Sequence, residues 1–205
     1  DVKVTYTLIN DDELRVRYEA ETDKKTIVNL TQHSYFNLSA GLSRDILAHE
    51  ITIDADSYLP VDQTLIPTGV LSGVGGTPFD FRASKRVGDD INEEDIQLTF
   101  GNGYDHCWVL NKQDEGIRIV ASAYDPVSGR LLEVSSDQPG IQFYSGNFLD
   151  GTLESKDGAK YEFRSGFCLE TQHYPDSPNQ ESFPTVILNP GEKYDTKTIF
   201  KFSTR

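Results

Sequence analysis

The chain has 205 residues and a formal charge of -14, from 33 acidic and 19 basic side chains. That balance repels nucleic-acid phosphates and anionic lipid, and no basic cluster overrides it, so the expected partner is a small or neutral molecule. No run approaches the ~18 consecutive apolar residues of a membrane span, and the length suits one β-rich domain over 1–205 with a sizeable core.

The first residues, "DVKVTYTLIN", lack the apolar core of a signal peptide, and Asp1 reads as an interior position rather than a natural start. Period-two alternation then dominates. In "ELRVRYEA", Leu14, Val16, Tyr18 and Ala20 take one face and Arg15, Arg17 and Glu19 the other. "ITIDADSY", with Ile51, Ile53 and Ala55, "IRIVASAY" from Ile117, and "DTKTIFKF" near the end repeat the pattern. Such rows predict half-buried antiparallel strands. Turn dipeptides join them at Asn10-Asp11, Pro126 to Gly129 and Asn189-Pro190-Gly191, and "AYDPVSGRLLEVSS" predicts a hairpin. Helical periodicity is weak; the best candidate is a short turn around Ser84 to Val87, before the acidic run Asp89 to Asp95. The expected fold is therefore all-β, a large antiparallel β-sandwich.

Long polar, aromatic segments interrupt the strands: "SYLPVDQTLIPTGVLSGVGGTPFDFR" and "TQHYPDSPNQESFP". Loops of this length are functional or disordered, and their aromatic content argues against disorder. Rings beside Asn, Gln and Asp suit a sugar, whose C–H faces stack while its hydroxyls pair with amides and carboxylates. Protein-binding loops have the same composition.

Four positions are candidates for chemistry. His33, in "VNLTQHSYFNL", sits in what reads as a strand running into a turn. It is either a hydrogen-bonded core histidine or a general acid, since imidazole titrates near neutrality. Glu170, in "SGFCLETQHYP", is either a strand-end carboxylate facing water or a general base whose pKa its apolar neighbours raise. Asp105, in "NGYDHCWVL", either caps a turn or accepts hydrogen bonds from substrate hydroxyls, and Gln142, in "PGIQFYSGN", is either an outward amide or a similar contact. No role falls on His49, His106 or His173. Cys107 and Cys168 lie in apolar runs, where thiols behave as small hydrophobes; neither a disulfide nor a metal role is expected of them. "SGVGG" lacks the Gly-Lys-Ser/Thr of a phosphate loop. The glycosylation patterns at Asn29 and Asn37 flank His33 and read as chance matches.

Taken in order, "NLTQHSYFNL", "YLPVDQTLIPTGVL", "PFDFR", "GYDHCWVL", "PGIQFYSGNFLDG", "CLETQHYPDSPNQESFP" and "ILNPGEKYDTKTIFKF" resemble the aldose 1-epimerases, or galactose mutarotases, over nearly the whole chain. The resemblance implies the mutarotase β-sandwich and interconversion of the α and β anomers of free hexoses such as glucose and galactose. It implies no cofactor and no metal, and a cytoplasmic location is expected. It places the catalytic glutamate on Glu170, taking the proton of the anomeric hydroxyl, and the acid on His33, protonating the ring oxygen. Asp105 and Gln142 match substrate-binding positions. Family members are longer, with an N-terminal half that supplies an asparagine–histidine–glycine–glycine segment and an arginine, neither of which has an equivalent here. The chain is thus expected to be a C-terminal portion, a sandwich incomplete at its N-terminus, poorly active until a separate chain supplies the other half. Two other readings remain at this point. One is a sugar-phosphate epimerase, which would want Lys or Arg in the pocket loops; the other is a carbohydrate-binding or regulatory sandwich without catalysis.

Overall fold

The alternating rows become the facing sides of two stacked antiparallel sheets. The computed structural model describes residues 1–40 and 44–205. Its strands are β1 (Val2–Ile9), β2 (Glu13–Ala20), β3 (Thr26–Ile27), β4 (Glu50–Ile53), β5 (Ala55–Leu59), β6 (Ser72–Gly73), β7 (Lys85–Arg86), β8 (Asp105–Leu110), β9 (Arg118–Tyr124), β10 (Arg130–Ser136), β11 (Gly140–Tyr144), β12 (Cys168–Gln172), β13 (Ile187–Leu188) and β14 (Tyr194–Thr204). The larger sheet runs β1-β2-β14-β10-β9-β4-β7 and the smaller β12-β11-β8-β5-β6, while β13 and β3 form a short ribbon. Val16, Ile53 and Phe200 of the large sheet share one apolar cluster with Trp108, Phe143 and Leu169 of the small one. The sheets therefore bury their facing sides against each other, as a sandwich requires. Among the described residues no helix is long and apolar enough to cross a membrane.

The hairpin between β9 and β10 forms as expected. The Asp125 carboxylate accepts from the Val127 and Ser128 amides, and Gly129 takes the positive φ of 74° that the turn needs. The long loop after β5 sends aromatic side chains into the core. Phe79 and Phe81 are fully buried, edge-on to Tyr104. The Trp108 indole N–H donates to the Phe79 carbonyl (2.9 Å) and the Tyr104 hydroxyl to that of Pro78 (3.0 Å). These aromatics complete the core, with their polar tips satisfied by the loop that carries them.

Two expectations need correction. The row "IRIVASAY" changes face partway. Opposite Val134 and Ser135, β9 skips from Ala121 to Ile119, leaving Val120 as the extra residue of a bulge. An extra residue inverts the period-two parity. Ala121 and Ala123 therefore face the core while Ile119 is 59% exposed. Arg118 is turned inward, its guanidinium donating to the carbonyls of Asn111, Gly116, Ser136 and Gln138. The turn expected at Ser84 to Val87 is strand β7 at Lys85–Arg86, and helix starts only at Val87, as α1 (Val87–Asp90). The acidic run ends in a second helix, α2 (Ile96–Gly101), whose N-cap Asp95 accepts from the Gln97 and Leu98 amides.

β1 stands apart. Register sets Val2, Val4, Tyr6 and Leu8 opposite Ala20, Tyr18, Val16 and Leu14, on the core side of the sheet. Yet these four are 41–79% exposed. The row is an apolar strip of the kind that marks an interaction face. Its one polar anchor is the Tyr6 hydroxyl, which donates to Gln32 Oε1 at 2.6 Å.

The bulge makes a direct prediction. Ile53→Ala, fully buried in β4, costs about 2–5 kcal/mol in urea unfolding, whereas Ile119→Ala in β9 changes stability by less than about 0.5 kcal/mol. Equal losses at the two positions would contradict the inverted parity.

Candidate active site

The outer face of the small sheet collects polar side chains from three strands. In β12, Leu169 and Thr171 face the core and Cys168 and Glu170 face away; in β11 the outward pair is Gln142 and Tyr144, and in β8 Asp105 and Cys107. Register lines Cys107, Gln142 and Glu170 into one row and Asp105, Tyr144 and Cys168 into the next. Residues far apart in sequence thus become neighbours through strand pairing. Gln142 Nε2 donates to Asp105 Oδ1 at 2.8 Å. Its Oε1 is buried without a partner among the described residues, an acceptor available to a hydroxyl. Tyr174 and Phe183, from the second long loop, pack with Leu59 and Cys107 and bound this face.

β12 is the sheet's edge, and the segment bearing His33 covers it. The segment was expected to be a strand, but β3 ends at Ile27 and the chain then runs irregularly. Side chains make the pairings that a strand would make with its backbone. Asn29 Nδ2 donates to the His173 carbonyl (3.0 Å) and its Oδ1 accepts from the His173 amide (2.9 Å). Thr31 Oγ1 donates to the Thr171 carbonyl (2.9 Å), and only Phe36 bridges by backbone, to Phe167. An edge strand is thereby closed to other chains. The Asn29 and Asn37 amide nitrogens both donate to backbone carbonyls within the chain.

This clamp delivers His33 to Glu170: Nε2 lies 3.6 Å from Oε1. The imidazole stacks on Tyr35 (centroids 5.3 Å apart), which meets Tyr144 edge-on. Beside it, Gln32 accepts from Tyr6 and donates to Ser34 Oγ. His33 is half exposed, whereas Glu170 is 7% exposed. Burial, reinforced by the Asp105 charge, pushes the Glu170 carboxyl up to about 7. Asp105 is also raised, chiefly by burial, against the hydrogen bond from Gln142. Neither carboxylate has a Lys or Arg within ion-pair distance among the described residues. All four residues picked from sequence therefore meet in one place, and Glu170 does not face water.

The other histidines have structural partners. His106 points into the core, its Nδ1 accepting the Asp105 amide (3.1 Å), with its ring edge-on to Phe79. Burial pushes it down to about 3, so it is neutral. His49 Nε2 accepts the Leu38 amide, and His173 Nδ1 pairs with Gln138 Oε1. Both cysteines are unpaired and buried. Tyr144 and Cys168 also face the site, and the sequence carries a signal for them: each lies two residues from a candidate, Gln142 or Glu170, in the same strand.

The family model described as aldose 1-epimerase matches residues 1–201. This chain belongs to the aldose 1-epimerase family. It is 53% identical to human galactose mutarotase over 98% of its own length, and 39% identical to the aldose 1-epimerase of Escherichia coli K12 over 97%. Among solved structures, it matches a galactose 1-epimerase from Lactobacillus acidophilus NCFM at TM-score 0.83 and 32% identity, covering 99% of this chain and 57% of that one. An aldose epimerase homologue from C. elegans matches at TM-score 0.85 and 28% identity, with 99% and 59% covered. The chain spans 57% of the length of each of the two curated relatives. The family's mutarotase fold is the antiparallel sandwich described above.

A carboxyl raised from 4.5 to about 7 by burial has a stability signature. Between those values the unfolded chain has ionised and the folded chain retains the proton, so stability falls as pH rises, by on the order of 3 kcal/mol for this group. Glu170→Gln is therefore expected to unfold at higher urea than the wild type at pH 8, by on the order of 1–3 kcal/mol, with most of that gain gone below pH 5. A difference independent of pH would contradict the buried-charge assignment.

Proposed function

We propose that this site interconverts the α and β anomers of free hexoses such as glucose and galactose by acid–base ring opening and closure. The supporting observation is an imidazole 3.6 Å from a buried carboxyl whose pKa lies near 7, beside a paired Asp105 and Gln142. The relatives' names, galactose mutarotase and aldose 1-epimerase, point to the same reaction.

Glu170, as carboxylate, removes the proton from the anomeric hydroxyl while His33, as imidazolium, gives one to the ring oxygen. The C1–O5 bond breaks and the electrons of the former O–H bond form the aldehyde. Rotation about C1–C2 turns the other carbonyl face toward the C5 hydroxyl. Closure reverses the roles: neutral His33 takes the C5 hydroxyl proton and protonated Glu170 gives its proton to the carbonyl oxygen. A base near pH 7 suits both directions, since it gains and loses its proton at small cost. Asp105 and the unpaired Gln142 Oε1 accept sugar hydroxyls and fix the ring. Lys and Arg are missing from this group of side chains, which favours an uncharged sugar over a sugar phosphate.

The half-exposed His33 and the open core-side row of β1 support a further reading. Full rate requires more polypeptide over this side, supplied with the chain or as a separate chain. The unpaired cysteines suit a reducing, cytoplasmic setting, and the charge of -14 is unfavourable for nucleic-acid or anionic membrane partners.

Polarimetry on α-D-glucose and α-D-galactose tests these roles. Glu170→Gln is expected to lower kcat by about 10²–10⁴ with little change in KM, and His33→Asn by at least about 10². In the wild type, kcat/KM falls as pH drops below about 7, where Glu170 takes up its proton. Near-normal turnover in either variant refutes its role, and the full rate of a whole-length relative from a verified 205-residue monomer refutes the need for further polypeptide.

A further inference from the structure

Cys168 takes no part in the proposed reaction, yet it completes a second constellation. His33, Cys168 and Glu170 each present one donor atom, and the three atoms lie within 4.8 Å of one another. We propose that this triangle binds Zn²⁺, and that the bound ion shuts the site to sugar.

Geometry comes first. A triangle of that size has a centre no more than about 2.8 Å from each corner, against Zn²⁺ bonds of about 2.0–2.3 Å to N, O and S. Closing that gap takes at most about 0.5–0.8 Å per donor. Cys168 and Glu170 are fixed two residues apart on one face of β12, whereas His33 is half exposed and is the least confined of the three donors. The donor set also selects the ion. Imidazole, thiol and carboxylate suit Zn²⁺, while Mg²⁺ and Ca²⁺ want oxygen alone. Three protein donors leave a fourth tetrahedral position for water.

Charge is the second, independent observation. Glu170 is buried and Asp105 partly buried on the same face of the sheet, and neither has a Lys or Arg partner among the described residues. A divalent cation held by Glu170 would balance this local negative charge. Binding replaces the Cys168 S–H bond with a Zn–S bond and releases that proton to solvent, with no change of oxidation state. The ion would then hold both the acid and the base, so the metal-loaded site cannot open a sugar ring. That last consequence rests on the proposed reaction; the metal site itself does not. The sequence hides the site because the donors come from a covering segment and a strand more than a hundred residues apart, with none of the spacing of a zinc motif.

Calorimetric titration of ZnCl₂ into the metal-free chain is expected to find one site. Cys168→Ser and, separately, His33→Asn should weaken it at least tenfold, and Cys107→Ser should leave it unchanged. Co²⁺ loading of the wild-type chain should give a thiolate-to-metal charge-transfer band in the near ultraviolet, which decides the matter even if Cys168→Ser does not fold. No saturable Zn²⁺ binding at millimolar metal, affinity indifferent to Cys168, or a Co²⁺ spectrum without the sulfur band would overturn the site. Mutarotation at an undiminished rate with Zn²⁺ bound would overturn the exclusion of sugar. Zn²⁺ binding through Cys168, with no mutarotation in metal-free buffer even when the further polypeptide is supplied, supports the metal site and refutes the proposed reaction instead.

Discussion

A carboxyl buried without a Lys or Arg partner is the constraint on which the site depends. Glu170 lies on the outer face of the small sheet, where an edge strand would ordinarily be wet. It is dry because the segment bearing His33 lies across that edge and because Tyr35 and Tyr144 stand beside it. Removing a carboxylate from water without a compensating partner disfavours its charged form. The same desolvation that weakens the fold at high pH gives the group a proton affinity near neutrality. Stability and reactivity are thus set against each other at one atom pair, a common arrangement at working sites.

The covering segment serves two ends with one geometry. Edge strands expose unpaired backbone groups, and proteins commonly cover them. Here Asn29 reaches the His173 carbonyl just past β12 and Thr31 the Thr171 carbonyl within it, both with side chains, so the segment need not adopt strand pairing and remains free to turn at His33. The Phe36–Phe167 bridge fixes its far end. Behind β12, Thr171 Oγ1 meets Thr198 Oγ1 of the large sheet at 2.6 Å, tying the strand that carries Glu170 to the other layer. Under β8, the neutral ring of His106 holds the Asp105 backbone. Base, acid and hydroxyl acceptors are each anchored from a different side.

Much of this was legible in the sequence, for physical reasons. Where one face of a strand is buried and the other wet, as in β2 and β4, period-two alternation follows directly, and it pointed to the antiparallel sandwich. The β9–β10 hairpin was readable from Asp125, Pro126 and Gly129, because few residues tolerate that turn. The inversion in β9 was not, since a bulge is defined by the partner strand, and Ile119 looks like a core residue until Val120 is found to be extra. Nor was the character of residues 28–38, where Asn and Thr imitate a strand's hydrogen bonds without its backbone. For Glu170 the residues alone left burial and exposure open; register with Gln142 and the covering segment decided it. The position of Cys168 beside His33 is invisible in the sequence, where a thiol in an apolar run looks like a hydrophobe; the fold brings the two together.

The central claim is that burial, with Asp105 beside it, holds the Glu170 carboxyl near pH 7. Infrared titration of the protonated carboxyl stretch, taken as the difference between wild type and Glu170→Gln, reads that group directly. The account predicts a band that disappears with a midpoint near 7. A midpoint at the ordinary glutamate value of about 4.3 would show Glu170 to be solvated and would contradict it.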